Sequence, residues 1–489
     1  MSIYLWIILA YLLVLTGFNF VRARRVKSQE DFMVAGRSLK WQVMVFTLIC
    51  TWIGSGTFIA GAEFASKAGF SAIWLSAGAW VGIVIIYFLT AKIQTFGQYT
   101  IGDILEARFG AVARVLGAIA LLISFTVIVS YQFVAGGFIL NVVSDGKISA
   151  DTGTAIAALF VILFTALGGM VAIAYTDLPN GIIIVLACLL AVPFVYSAAG
   201  GLSQAKQALD PGYFAVVNSQ FGTHPGLKAG GYFLSTLFLL LGVQSMYQKF
   251  YSAKSARDAK KAVFWWTLGT IFVETVVVVI AVFAFSKLKG QIDLSVPKAG
   301  GKVVLMAARS LVPTPVGVLL LGAACAVVIS TGMNYLLSPS TNIMRDIYQR
   351  FINKNADPKK TVGMQKVIIV VLGIIAFFLA TKMRSVLGQA MFAYSIYGAA
   401  ITPTLLAALT WKRATKAGGI ASILSGTIVC VVWKILPGLL PSGLAPEGDP
   451  WGIPLIYPAL VASIGTLILV SLLTPKPRPE ELEIFFPKK

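Results

Sequence analysis

Charge is what this sequence has least of. Asp, Glu, Lys and Arg make up 12% of its 489 residues, about half the share of an ordinary soluble chain. No polar stretch is longer than about 30 residues, too short to enclose a core of its own, so a separate soluble domain is excluded. Histidine occurs once, as His224 in a connecting segment, where it reads as a surface residue. The four cysteines, Cys50, Cys188, Cys325 and Cys430, all lie in apolar stretches. No two share metal-ligand spacing, so neither a disulfide framework nor a zinc site is expected. No nucleophile–base pair stands out, which argues against a membrane enzyme, and no organic cofactor is implied. Acids are outnumbered by bases, 19 against 39, for a net charge of +20. That excess is spread over short loops rather than gathered in one block, so no nucleic-acid partner is expected.

What is abundant is apolar sequence: 58% hydrophobic residues and a mean hydropathy of +0.85. Runs of about 20 apolar residues recur from end to end, the mark of an all-α polytopic membrane protein in a lipid bilayer. The spans fall near 3–21, 40–66, 70–91, 115–142, 152–174, 178–199, 229–247, 262–285, 313–344, 362–381, 385–410, 417–436 and 452–474, about thirteen helices in all. The first has no basic region before it and no small-residue cleavage site, and its basic cluster, Arg22–Lys27, follows it; a retained helix is expected rather than a signal peptide. With the N-terminus outside and the C-terminus cytoplasmic, most Lys and Arg face the cytoplasm, as in inner or plasma membrane proteins. Residues 1–474 then form one transmembrane unit and 475–489 a loosely ordered cytoplasmic tail. Lys254–Lys261 (KSARDAKK) is expected to lie as a basic helix at the headgroups. No obligatory protein partner is evident.

The most informative stretch is Cys50–Gly61 (CTWIGSGTFIAG), where glycines and hydroxyls interrupt a spanning segment. A loosened backbone survives in the membrane only inside protein or beside a water-filled cavity. The Gly200–Lys228 connection separates a five-helix block, about 40–199, from a second, about 229–410, and Gly230–Gly242 leading into Gln244 interrupts the start of the second. Five spans per block invert the second block relative to the first, and paired broken spans point to a midplane site. The carbonyls of Cys50 and Ile53 are placed to hold a hard cation such as Na+. Val327, Ser330 and Thr331 stand at i, i+3 and i+4 and share one helix face. The competing reading is that both hydroxyls bond back to their own helix. Asp177, just before Leu178-Pro179, reads either as a helix N-cap or as an intramembrane functional acid.

Several segments, in order, carry a resemblance: DFMVAGRSL (Asp31–Leu39), TIGDILEARFG (Thr100–Gly110), GGMVAIAYTD (Gly168–Asp177), QKFYSAKSARDAKKA (Gln248–Ala262), AVVISTGMN (Ala326–Asn334) and WKRATKAGG (Trp411–Gly419). Together they make the chain resemble the sodium:solute symporter family, whose members carry sugars, proline, pantothenate, sialic acid or choline with sodium. The resemblance implies a LeuT-type inverted repeat with one extra N-terminal and two extra C-terminal helices. It implies a sodium site at Cys50, Ile53, Val327, Ser330 and Thr331, and a small polar solute touching Thr57 and Ser76. Trp52, Trp74, Tyr131, Gln132 and Gln244 are further expected cavity residues, against a packing or interfacial role for the aromatics. Some members bind a second sodium at the position of Asp177 and nearby groups, here Ser330, Met333 and Asn334; the Met333 thioether departs from that pattern. CTWIGSGTFIAGAEF is similar to choline carriers in keeping Trp52, a cation–π partner, but Val243-Gln244 lacks their aromatic. No acid or arginine of the core is expected to pair with a charged solute. The reading is sodium-coupled symport, with proton coupling through Asp177, or a solute sensor that moves nothing, as the alternatives.

Overall fold

A computed structural model describes residues 3–24, 28–96, 99–218, 222–441 and 443–486. Part of the Arg22–Lys27 cluster and the last three residues of the tail lie outside them. Among the described residues the regular structure is helical, apart from one parallel bridge between Leu39 and Ala253. In chain order the helices are α1 Ile3–Ala23, α2 Gln29–Val34, α3 Trp41–Trp52, α4 Gly61–Ala68, α5 Trp74–Phe96, α6 Ile101–Phe109, α7 Ala111–Val143, α8 Ala150–Ala198, α9 Gly201–Ala208, α10 Pro225–Gly242, α11 Gln244–Ser252, α12 Ala256–Leu288, α13 Val303–Ser310, α14 Thr314–Asn342, α15 Pro358–Thr381, α16 Val386–Ala400, α17 Thr402–Thr410, α18 Lys416–Ile435, α19 Ile456–Leu473 and α20 Pro479–Glu483.

Among the described residues, 11 helical stretches are long and apolar enough to cross a membrane. The count differs from the expected thirteen for two reasons. First, α8 has 49 residues, roughly 70 Å if straight and over twice the hydrocarbon thickness of about 30 Å. It breaks at Gly169 (φ 54, ψ −158), so it supplies two limbs. Second, α3 is too short to count alone, and the chain continues from it through a π-helical turn, Gly56–Ala60, into α4.

The central helix is α14, buried for most of its length and packed on α8 and α7. Many apolar side chains of α15, α18 and α19, among them Val367, Phe378, Ile428 and Leu469, point outward, as lipid-facing surfaces require.

Two interruptions, after α3 and between α10 and α11, have partners for part of their freed backbone. After α3, Ile53 is extended (φ −76, ψ 98). Ser55 N–H donates to Gln132 Oε1 at 3.1 Å, and Thr57 and Phe58 N–H donate to the Gly54 carbonyl at 3.0 and 3.1 Å. Between α10 and α11, Val243 leaves the helical region (ψ 117). Tyr397 of α16 clasps this break: its hydroxyl donates to Gly242 O at 2.8 Å and accepts from Gln244 N–H at 2.9 Å.

Lys254–Lys261 is helical from Ala256 onward as the first turn of α12, capped by Ser255, whose hydroxyl accepts from Asp258 N–H. One expectation is corrected. The tail is not loose over its described part. Phe485 is buried and stacks on Phe96 with ring centroids 5.4 Å apart, and Lys416 pairs with Glu481 at 2.8 Å. Two phenylalanines in an otherwise polar tail supply the apolar surface that docks it.

Candidate functional site

The α3 break faces α14. Thr331 Oγ1 donates to Cys50 O at 2.9 Å and lies 3.3 Å from Ile53 O, while Ser330 Oγ lies 3.4 Å from Cys50 O. Neither hydroxyl bonds back to its own helix, so the competing reading is set aside. Val327 is buried one turn before Thr331 on the same face. Gly54 permits the close approach: a Cβ there would stand 2.8 Å from Thr331 Cγ2 and 2.9 Å from its hydroxyl.

Asp177 adjoins this cluster. It is fully buried, and its carboxylate accepts from Ser330 and Thr47 hydroxyls and from Asn334 Nδ2 at 3.4 Å. It is no N-cap: the helix starts after Gly169, where a positive φ breaks the chain, and Asp177 lies within the second limb of α8. The missed neighbour is Lys249 of α11, which is fully buried and donates to Asn334 Oδ1. Asn334 thus gives its amide to Asp177 and its carbonyl oxygen to an ammonium. In the sequence Lys249 reads as part of a basic connector, which hides it.

Beside this group of oxygens lies a central cavity of about 20 Å³, room for about one water. Trp52, Thr57, Ser76, Tyr131, Gln132, Thr331 and Tyr394 line it. Two expected members stand elsewhere. Gln244 turns its side chain toward α6, accepting from Ile101 N–H at 2.6 Å and donating to Tyr99 O at 3.3 Å. Trp74 donates to Val216 O at 2.6 Å in the connection after α9 and does not line the cavity.

The expectation that no core acid could face a charged solute is also corrected. Glu274 of α12 is buried in the cavity wall. Trp52 Nε1 and Thr57 Oγ1 reach its Oε1 at 3.1 and 3.4 Å, and Trp80 Nε1 reaches Oε2 at 2.7 Å. An acid in the middle of FVETVVVVI carries a functional signal by default; its partners come from three other segments, which periodicity does not reveal.

Both ends of the bundle are tied. At the α6 end, Arg114 pairs with Asp346 at 2.7 Å and with Asp103 and Glu106, and Arg350 pairs with Glu106 at 2.6 Å. A cavity of about 1080 Å³ opens there. At the α9 end, Glu63 of α4 accepts from Ser385 Oγ at 2.8 Å and Leu387 N–H at 3.3 Å, joining α4 to the start of α16. The Phe64 and Tyr232 rings meet at 4.4 Å there, beside a cavity of about 460 Å³.

Apolar helices with two broken spans around a buried polar centre define a multi-pass membrane transporter rather than an enzyme. Residues 32–426 match the family model described as SSF: Sodium:solute symporter family. The chain belongs to the sodium:solute symporter family. It is 26% identical over 481 residues to the high-affinity proline transporter PutP of Bacillus subtilis (strain 168), covering 93% of this chain and 94% of the relative. It is 25% identical over 454 residues to the sodium/glucose cotransporter of Vibrio parahaemolyticus, covering 85% and 81%. Its fold matches the substrate-bound outward-open state of a Na+-coupled sialic acid symporter with a TM-score of 0.80, at 14% identity and 98% and 99% coverage. It also matches Mhp1, a nucleobase-cation-symport-1 family transporter, in a closed conformation, with a TM-score of 0.59, at 12% identity and 93% and 97% coverage. The fold is the LeuT-type inverted repeat these structures share.

Proposed function

We propose that the protein imports a small polar solute by coupling it to inward sodium flow. The observation that carries this reading is the convergence of the Cys50 and Ile53 carbonyls with the Ser330 and Thr331 hydroxyls. Four oxygens from two helices, joined by the carbonyl of Val327, make a set of neutral ligands suited to a hard monovalent ion. No carboxylate is needed in that set. The Asp177 carboxylate touches it through Ser330 and is itself answered by Asn334 and, through it, Lys249.

The geometry also supplies a route for coupling. Thr331 belongs to the ion cluster and to the cavity wall. An ion that fixes Thr331 against the α3 break shapes the wall the solute meets, so each ligand favours the other's binding. The solute would sit among Trp52, Thr57, Ser76, Tyr131 and Gln132. The contraction of the cavity to about 20 Å³, with both ends tied, belongs to an occluded stage of alternating access. Release of the Glu63 contacts would open the α9 end, taken as the outside; release of the Arg114 network would open the α6 end, taken as the cytoplasm. The N-terminus would then lie outside and the C-terminus inside.

The test is uptake in proteoliposomes under imposed gradients. Solute accumulation driven by an inward sodium gradient supports the reading. Accumulation that ignores sodium and follows a pH gradient supports proton coupling through Asp177 instead, and binding without flux supports a sensor.

A further inference from the structure

Among the described residues, the Glu274 carboxyl has no cationic side chain paired with it. Its oxygens each take an indole N–H, from Trp52 and Trp80. An indole nitrogen can only donate, so both carboxyl oxygens of Glu274 act as acceptors here. Thr57 adds a hydroxyl contact from the cavity side. None of the residues lining the cavity is Lys, Arg or His. A buried carboxyl held by hydrogen bonds alone is an open partner for a cation, and a low-dielectric wall strengthens the attraction between the two once a cation enters. The same cavity holds a donor without an acceptor. Gln132 Oε1 accepts from Ser55 N–H, which orients the amide, and its Nε2 is buried with no partner.

We infer that the transported solute carries a positively charged nitrogen, neutralised by Glu274, together with an oxygen acceptor for Gln132 Nε2. This rests on reading the central cavity as the solute site of a sodium-coupled carrier. Trp52 serves twice: its N–H holds the carboxylate, and its ring belongs to the wall the cation meets. The ion cluster is a separate group of oxygens on the far side of Thr331, so Glu274 is a specificity residue and not a ligand of the coupling ion.

The test uses purified full-length protein in proteoliposomes with an inward sodium gradient. The vesicles are offered one defined mixture: L-proline, glycine betaine and choline, which carry a cationic nitrogen, and glucose, lactate and succinate, which carry none. Accumulated solutes are read by mass spectrometry. The expected result is accumulation confined to the nitrogen cations. In Glu274→Gln their uptake relative to nitrogen-free solutes falls, roughly tenfold or more for the loss of a buried charge partner. Glu274→Asp, which keeps the charge, preserves the preference even at a lower rate. The ratio between solute classes is the readout, because a loss of folded protein does not move it. Preferred accumulation of glucose, lactate or succinate overturns the inference while leaving the carrier reading intact, as does an unchanged ratio in Glu274→Gln. No accumulation of any solute under any sodium gradient overturns the carrier reading, and this inference with it.

Discussion

The ammonium of Lys249 donates a hydrogen bond to Asn334 Oδ1, and the amide of that same asparagine donates to Asp177 Oδ2 at 3.4 Å. One neutral side chain therefore joins a buried cation to a buried anion on three different helices, α11, α14 and α8. Lys249 thus places a positive charge one side chain away from Asp177.

This pair predicts a double-mutant signature. Lys249→Met leaves Asp177 buried without a compensating charge, a change that costs about 3–5 kcal/mol when a buried partner is removed. Asp177→Asn in the same protein removes the orphaned charge and should recover most of that loss. Thermal unfolding of the purified single and double variants measures both. Equal melting temperatures for Lys249→Met and the double variant would show that the two charges are not coupled.

Gly54 predicts a steric effect on the proposed sodium site. A methyl at this position would lie 2.8 and 2.9 Å from two atoms of Thr331. Gly54→Ala should push Thr331 from the Cys50 and Ile53 carbonyls, at about 1–3 kcal/mol for overpacking, and weaken the sodium dependence of uptake. Gly322→Ala, also in the core but with nothing within 4 Å of its Cβ, serves as the control and should leave that dependence unchanged. Equal sodium curves for the two variants would contradict the placement of Thr331.

The α6 end predicts an acid-sensitive closure. Burial opposes ionisation of Glu106, but hydrogen bonds and charge from Arg114 and Arg350 outweigh it and hold the carboxyl below its ordinary value of 4.5. A lowered folded value means that the contribution is present in full above 4.5 and fades as pH falls through the folded value. Glu106→Gln should remove this part of the acid dependence of closure. Labelling of a cysteine introduced at Ala107, which lines the cavity there, reports it: because the thiolate is the reacting form, reactivity is taken relative to a fully exposed cysteine at the same pH, and that ratio should rise on acidification in the parent and stay flat in the variant.

Much of the architecture was legible because hydropathy and glycine placement act locally. The apolar runs marked the crossings, and the glycines of Cys50–Gly61 marked the first break. The i, i+3, i+4 spacing of Val327, Ser330 and Thr331 placed both hydroxyls on the face that meets α3. What escaped was tertiary. Glu274 draws its partners from α3, α5 and the π-helical turn, none of them near it in sequence. Lys249 belongs to a basic run by sequence but to the core by position, because α11 turns inward after Val243. Gln244 sits at the second break, yet its side chain caps the start of α6. Asp177 precedes a proline, yet the bend falls earlier, at Gly169, which alone there adopts a positive φ.

The most direct measurement is equilibrium binding of radiolabelled sodium to the purified protein and to the Ser330→Ala/Thr331→Ala double variant. The predicted result is saturable binding to the parent and an affinity lower by about tenfold or more in the variant, as expected for losing two hydroxyl ligands, with the fold retained. An unchanged sodium affinity in a folded double variant would contradict the account.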